Sequence, residues 1–299
     1  MMRLGVNLPT VDIGGDPLVV RDFSQTAEAL GYDHLALADH VLGVNAANIP
    51  NWGNRNTSAD YFHDPFLLFS YLSACTTQIE FSTQVLILPQ RQTALVAKQA
   101  ACLDILSSGR FRFGIGIGWN EAEYIALNES FHNRGRRSVE QINILKELWS
   151  KPHVNIDEEW HKITDAGINP LPSKRSIPLW IGGHEDVTLQ RVARYGDGWI
   201  MLQYPPGQEA QEKFDLLRAY TREADRPENE VGIEVWTSAV GTPEDWRKEI
   251  EFWKKAGVTH ICLNNSFSRY HHQAIEDRSI ENHTSAMQLY KESVEDIIS

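Results

Sequence analysis

The chain has 299 residues, 42% of them hydrophobic and 23% charged, with a formal net charge of −12. That length suits one large α/β-barrel domain or two ordinary domains, and the acidity argues against nucleic acid and anionic membrane surfaces as partners. Cys75, Cys102 and Cys262 lie far apart in apolar segments without CxxC spacing, the usage of reduced thiols in a cytoplasmic protein. The expectation is therefore a cytoplasmic chain with neither a signal peptide nor a membrane span.

Arg3–Leu8 reads as a first strand stopped by Pro9, and Pro17–Leu30 as a helix closed by Gly31. His34–Ala38 is the second strand and ends in Asp39-His40. A polar insertion follows at about 41–63, carrying Trp52, Tyr61 and Phe62. Loops this long within a compact domain are usually lids or binding loops. Asp64-Pro65 opens a helix to about Cys75, Ile79–Leu88 is the third strand, and Thr93–Leu106 is a helix with Val96, Ala100, Leu103 and Leu106 on one face. Phe111–Ile117 is the fourth strand, followed by helices over Glu121–Asn128 and Arg136–Trp149. Residues 151–177 carry Pro152, Pro170 and Pro172 and read as an irregular excursion. Strands at Pro178–Gly182, Gly198–Leu202, Val231–Ser238 and His260–Leu263 then alternate with helices at Asp186–Tyr195, Gln208–Ala224, Pro243–Ala256 and His283–Ile297.

Eight strands alternating with helices, with no break between domains, predict a single (β/α)8 TIM barrel over 1–299. Its insertion loops lie at about 41–63 and 151–177. A doubly wound open sheet is the alternative fold.

A barrel carries its chemistry at the C-terminal ends of its strands. The candidates there are Asn7, Asp39, His40, Gln84, Val85, Trp119, Asn120, Glu121, Gly182, Gly183, His184, Trp236, Asn264 and Asn265. Asp39-His40 is the titratable pair. His40 could serve as general acid or base, or could be a histidine packed at a strand end. Gly182-Gly183-His184 precedes a helix start, which makes either an anion site or a plain tight turn. Glu121 could meet a ligand or simply favour the first turn of its helix. The histidines show no metal-ligand spacing, so no metal is expected. Arg112–Glu121 (RFGIGIGWNE) looks like a dinucleotide fingerprint, but the position for the third glycine holds Trp119. In a barrel, Gly114, Gly116 and Gly118 more plausibly make room in a crowded interior.

Several segments together are similar to the luciferase-like monooxygenases. They are Asp39-His-Val, Thr83–Pro89 (TQVLILP), Lys98–Arg110 (KQAACLDILSSGR), Phe113–Glu121 (FGIGIGWNE), Phe131–Arg136 (FHNRGR) and Ile177–Ile200. The resemblance covers roughly residues 1–205 and is greatest to the branch that uses coenzyme F420, with FMN as the alternative cofactor. It implies a deazaflavin or flavin ring over the barrel mouth and a non-proline cis peptide at Gln84–Val85 behind the ring. It further implies cofactor contacts from Trp119, Asn120 and Glu121, and phosphate binding by Gly182, Gly183 and His184. His40, Asp39 and Glu121 are the catalytic candidates. Asn7, Trp52, Tyr61, Trp236 and Asn264 are the substrate-pocket candidates, with the 41–63 loop as lid. Gln84 and Asn120 stand where some relatives have a small residue.

The reading that follows is an F420-dependent oxidoreductase moving a hydride to or from a small organic substrate, as a homodimer. Its rivals are an FMN monooxygenase fed by a flavin reductase, and a flavin-binding protein without turnover. An isomerase or aldolase barrel would want a lysine or paired carboxylates at strand ends, and neither is found.

Overall fold

The computed structural model describes every residue except Met1 and Asn54. In chain order the elements are β1 (Arg3–Asn7), α1 (Thr10–Ile13), α2 (Pro17–Ala29), β2 (His34–Leu37), α3 (Pro65–Ser73), β3 (Glu80–Thr83), β4 (Leu86–Ile87), α4 (Thr93–Leu106), β5 (Phe111–Gly116), α5 (Glu121–Ala126) and α6 (Arg134–Ser150). They continue with β6 (Val154–Asp157), β7 (Lys162–Ala166), β8 (Leu179–Gly182), α7 (Asp186–Tyr195), β9 (Gly198–Met201), α8 (Gln208–Glu223), β10 (Gly232–Thr237), α9 (Pro243–Ala256), β11 (His260–Leu263) and α10 (Ile280–Ile298).

The main sheet runs β3-β2-β1-β11-β10-β9-β8-β5-β4, and a β3–β5 pairing closes it. Every pairing in it is parallel. β3 and β4 are two halves of one barrel strand, since both pair with β5. The result is the expected eight-stranded TIM barrel. Two expectations change in detail. The third strand is not continuous to Leu88 but breaks at the cis Gln84–Val85 peptide that the family resemblance implied. The 151–177 excursion is not irregular throughout: β6 and β7 form an antiparallel hairpin outside the barrel.

Local chemistry sets the helix starts. The Asp16 carboxylate accepts from the amide of Leu18 before Pro17, and Asp64 accepts from Phe66 and Leu67 before Pro65. Thr242 and Asp245 form a capping box on α9, and Gly257 ends that helix in the left-handed region at φ 87°.

Alternation along β5 sorts its residues. Phe111 and Phe113 point outward and pack on Phe66 of α3, with Trp149 of α6 against Phe113. Arg112, Gly114 and Gly116 therefore point into the barrel. A Cβ at Gly114 would lie 1.9 Å from the carbonyl oxygen of Thr83, and one at Gly116 would lie 2.5 Å from Val85. The glycines thus make room in the interior, as expected from the sequence.

Candidate active site at the barrel mouth

A cavity of about 710 Å³ opens at the C-terminal ends of the strands. Its strand-end wall contains Asp39, His40, Gln84, Val85, Gly116 to Trp119, Gly182 to His184 and Trp236. Its roof comes from the 41–63 loop and from the stretch after β11.

His40 is the central ionisable group. Its Nδ1 lies 3.4 Å from Oε1 of Glu123, and its Nε2 lies 3.0 Å from Nδ2 of Asn56. The ring sits between Phe62 at 4.8 Å and Trp119 at 6.0 Å between centroids. A carboxylate can only accept, so Nδ1 carries the proton toward Glu123 and Nε2 accepts from the Asn56 amide. Glu123 also accepts from the amides of Val41 (2.9 Å) and Leu42 (3.3 Å) and from Gln90 Nε2 (3.4 Å). Burial pushes the Glu123 carboxyl up, but these bonds outweigh it and hold the group below the ordinary carboxylate range.

Glu123 was not among the candidates, whereas Glu121 was. The structure places the two acids differently. Glu121 is exposed in the first turn of α5 and absent from the cavity wall. Residues two apart on a helix point to nearly opposite sides, so only one of these acids can face His40.

Asp39 lies in the cavity wall at 3% exposure, but both oxygens are engaged. Arg91 donates to Oδ1 at 2.7 Å and, through Nε, to Oδ2 at 3.4 Å, while the amide of Ile87 donates to Oδ2 at 3.1 Å. Burial pushes its carboxyl above the ordinary value despite Arg91. Arg91 also bonds Asp64 at 3.0 Å, so Asp39 ties strand two to the third strand and to the start of α3.

The cavity floor is a polar network of hydrogen bonds and ion pairs. Gln84 donates from Nε2 to Glu234 at 2.6 Å and accepts from Trp236 Nε1 at 2.6 Å. Glu234 also accepts from His34 Nε2 at 2.7 Å and from the Arg112 guanidinium. Arg112 bonds Glu80 at 3.0 Å and lies 4.5 Å from the centre of the Trp180 ring. Burial pushes the Glu234 carboxyl up, but Arg112 and His34 outweigh it and hold it well below the usual range. His34, Glu234 and Cys262 bring three metal-binding side-chain types together, a juxtaposition invisible in the sequence. Arg112 already neutralises Glu234 there, and burial pushes the Cys262 thiol well up, both of which oppose a cation.

Gly182-Gly183-His184 turns into α7, whose N-terminus no side chain caps. Gly183 has φ 130°, and its carbonyl accepts from Trp199 Nε1 at 2.7 Å. The buried Nδ1 of His184 has no partner among the described residues. Burial and, secondarily, the charge of Arg269 lower the His184 pKa to about 4, so the ring is neutral near pH 7.

The remaining candidates divide. Trp52 stands behind the wall with its ring 5.6 Å from Trp119. Asn120 caps α5 through the amide of Ala122 and does not reach the cavity. Asn7, Tyr61 and Asn264 are likewise absent from the wall. Asn264 is buried and folds its own loop through Ser266 and Phe267. Arg55, Asn56, Arg269 and Tyr270 do line the cavity and were not foreseen. They lie in irregular stretches, where no periodicity says which way a side chain faces. The Arg55 and Arg269 guanidinium carbons stand 5.6 and 5.8 Å from the Trp119 ring centre.

The sequence model of luciferase-like monooxygenases matches residues 2–295, beyond the 1–205 stretch legible by eye. The chain belongs to that family. A Mycobacterium tuberculosis protein is 33% identical over 183 residues, 59% of this chain and 62% of its own length. The alignment thus spans about six-tenths of that relative. A pyrimidine monooxygenase RutA of Bradyrhizobium sp. is 28% identical over 180 residues, 58% of this chain and 47% of its own. Among solved structures, the monooxygenase RslO1 of Streptomyces bottropensis superposes with TM-score 0.81 at 17% identity, covering 100% of both chains. An F420-dependent secondary alcohol dehydrogenase superposes with TM-score 0.79 at 17% identity, covering 100% of this chain and 99% of its own. Likenesses at such identity speak to the fold. Among the described residues, no helix is long and apolar enough to cross a membrane.

Proposed function

We propose that this member of the luciferase-like monooxygenase family moves a hydride between coenzyme F420 and a small organic substrate, as a cytoplasmic homodimer. The observation that carries the reading is His40 in the cavity wall, with Nδ1 held by Glu123 and Nε2 directed at Asn56. A neutral imidazole in that tautomer has a lone pair available on the cavity side once Asn56 yields, and a carboxylate ready to stabilise its protonated form. The secondary alcohol dehydrogenase above, named for F420, supports the same cofactor.

The cavity fits such a group. The unpartnered His184 Nδ1, the Gly182-Gly183 turn and the open N-terminus of α7 would take its phosphate. Val85, backed by Gly116 and Gly182, would support one face of its ring. F420 supplies the hydride chemistry, and the chain supplies placement and proton handling. Trp119, packed on Trp52, shields one side of the cavity from water. Gln84 and Glu234 hold the Trp236 indole in a single orientation at the floor. His40 takes or returns the substrate proton at Nε2, and Glu123 fixes its tautomer through Nδ1. Asp39 is a positioning residue for the loop that carries His40.

The second reading is an FMN monooxygenase served by a flavin reductase; the relative named pyrimidine monooxygenase favours it. Fluorescence quenching decides between the two. Tight binding of F420 with weak binding of FMN is expected, and the reverse would replace the first reading by the second. With the bound cofactor and a turnover assay in hand, His40→Ala should lower kcat by about 10²- to 10⁴-fold. An unchanged rate would remove His40 from the chemistry.

A further inference from the structure

A second cavity, of about 430 Å³, lies beside the main one. Its walls include Phe62, Gln90, Arg91, Leu95 and Gln99, and exposed Leu95 and Val41 at its rim open it to solvent. Asp39 and His40 are the residues common to both walls. Both oxygens of Asp39 are taken by Arg91 and Ile87, which leaves His40 as the group in the partition with a ring nitrogen directed to each side.

The two ring nitrogens face opposite ways. Nε2 meets Asn56, a wall residue of the main cavity. Nδ1 meets Glu123, whose other oxygen bonds Gln90, a wall residue of the side cavity. Gln90 is 3% exposed, and its buried Oε1 has no partner among the described residues. Glu123 itself is buried and lines neither cavity, and Gln90 is the side-cavity residue that it bonds.

We infer that the side cavity is the proton exit of the active site: His40 exchanges protons with the ligand through Nε2 and with water beside Gln90 through Nδ1 and Glu123. This rests on the acid/base reading of His40 above. For each proton that Nε2 takes from a ligand, the Nδ1 proton passes to the Glu123 carboxylate and from there to water. The ring ends neutral as the Nε2–H tautomer, Glu123 ends ionised, and one proton has left; exchange of the Nε2–H with water in the emptied main cavity restores the Nδ1–H tautomer, and the reverse sequence delivers one proton. The main cavity can then be filled by cofactor and substrate without isolating its base from solvent. The other charged groups around the side cavity are Arg91, Asp64 and Glu129. Arg91 is neutralised by Asp39 and Asp64, and Glu129 pairs with Arg137, so none of them competes for the His40 proton.

The test uses the full chain labelled with ¹⁵N-histidine, without added ligand, and reads the exchange of the His40 Nδ1–H with solvent. Leu95→Trp fills the side cavity from its exposed rim, with Gln99→Trp as a second plug. Leu202→Trp fills the main cavity, whose wall includes Leu202. The side-cavity plugs are expected to slow Nδ1–H exchange about tenfold, and Leu202→Trp to leave it within about twofold, in variants whose melting temperatures match the parent. No slowing by either side-cavity plug, or equal slowing by Leu202→Trp, overturns the inference. Failure of both F420 and FMN to bind would instead sink the proposed function, and the exchange measurement would read the same.

Discussion

The floor and the roof of this barrel solve opposite problems. The floor is a buried polar network, Glu80–Arg112–Glu234–Gln84–Trp236 with His34 alongside, in which nearly every charge meets an opposite charge at hydrogen-bond distance. The roof, from 41–63 and the stretch after β11, places Arg55 and Arg269 against an indole face, with exposure to solvent. Groups in the floor tolerate no loss of a partner, because an orphaned buried charge has no water to turn to. Groups in the roof lose little folding energy when removed and are free to answer to a ligand. His40 lies at the seam, fixed on one nitrogen and adaptable on the other.

That contrast can be broken in order of expected effect. Glu234→Leu strands Arg112 and His34 together and should cost about 3–5 kcal/mol of folding stability by urea denaturation; a loss below about 1 kcal/mol would mean the floor is far looser than its geometry. Gly116→Val drives a side chain into Val85, and overpacking of this kind costs about 1–3 kcal/mol. Thermal denaturation checks it, and a variant of full stability would remove the packing role given to Gly116.

His184 tests the seam through pH. An unfolded histidine binds its proton near 6.5, whereas the folded ring does so only near 4. Between those values the unfolded state holds the extra proton, so stability falls as pH drops from 6.5 toward 4. His184→Gln should therefore show a smaller loss of urea midpoint between about pH 7 and about pH 5 than the parent. Equal losses would show that the ring titrates normally. The smallest effect belongs to the roof. Arg55→Ala and Arg269→Ala should each change stability by less than about 0.5 kcal/mol. Each should weaken binding of the phosphate-bearing flavin by about two- to fivefold, less so at high salt. Isothermal titration at two ionic strengths reads this directly.

The barrel was legible in the chain because its signals are local. Strands alternate with helices along the chain, proline opens α2, α3 and α9, glycine closes α7 and α9, and parallel alternation leaves one closed architecture. The strand-end rule likewise located His40 and the Gly182–His184 turn, and the family resemblance located the Gln84–Val85 break; all of them line the cavity. What stayed hidden depends on direction and on distance along the chain. Glu123 rather than Glu121 meets His40 because of the rotational phase of a six-residue helix. Glu234 reaches Gln84 across 150 positions and His34 across 200. Asn7, Asn120 and Asn264 sit at strand ends yet spend their side chains on their own loops. Composition and spacing determined which elements form and which end of the barrel carries the main cavity. Only closure of the barrel decided which side chains meet there, because contact between residues far apart in sequence is a property of packing.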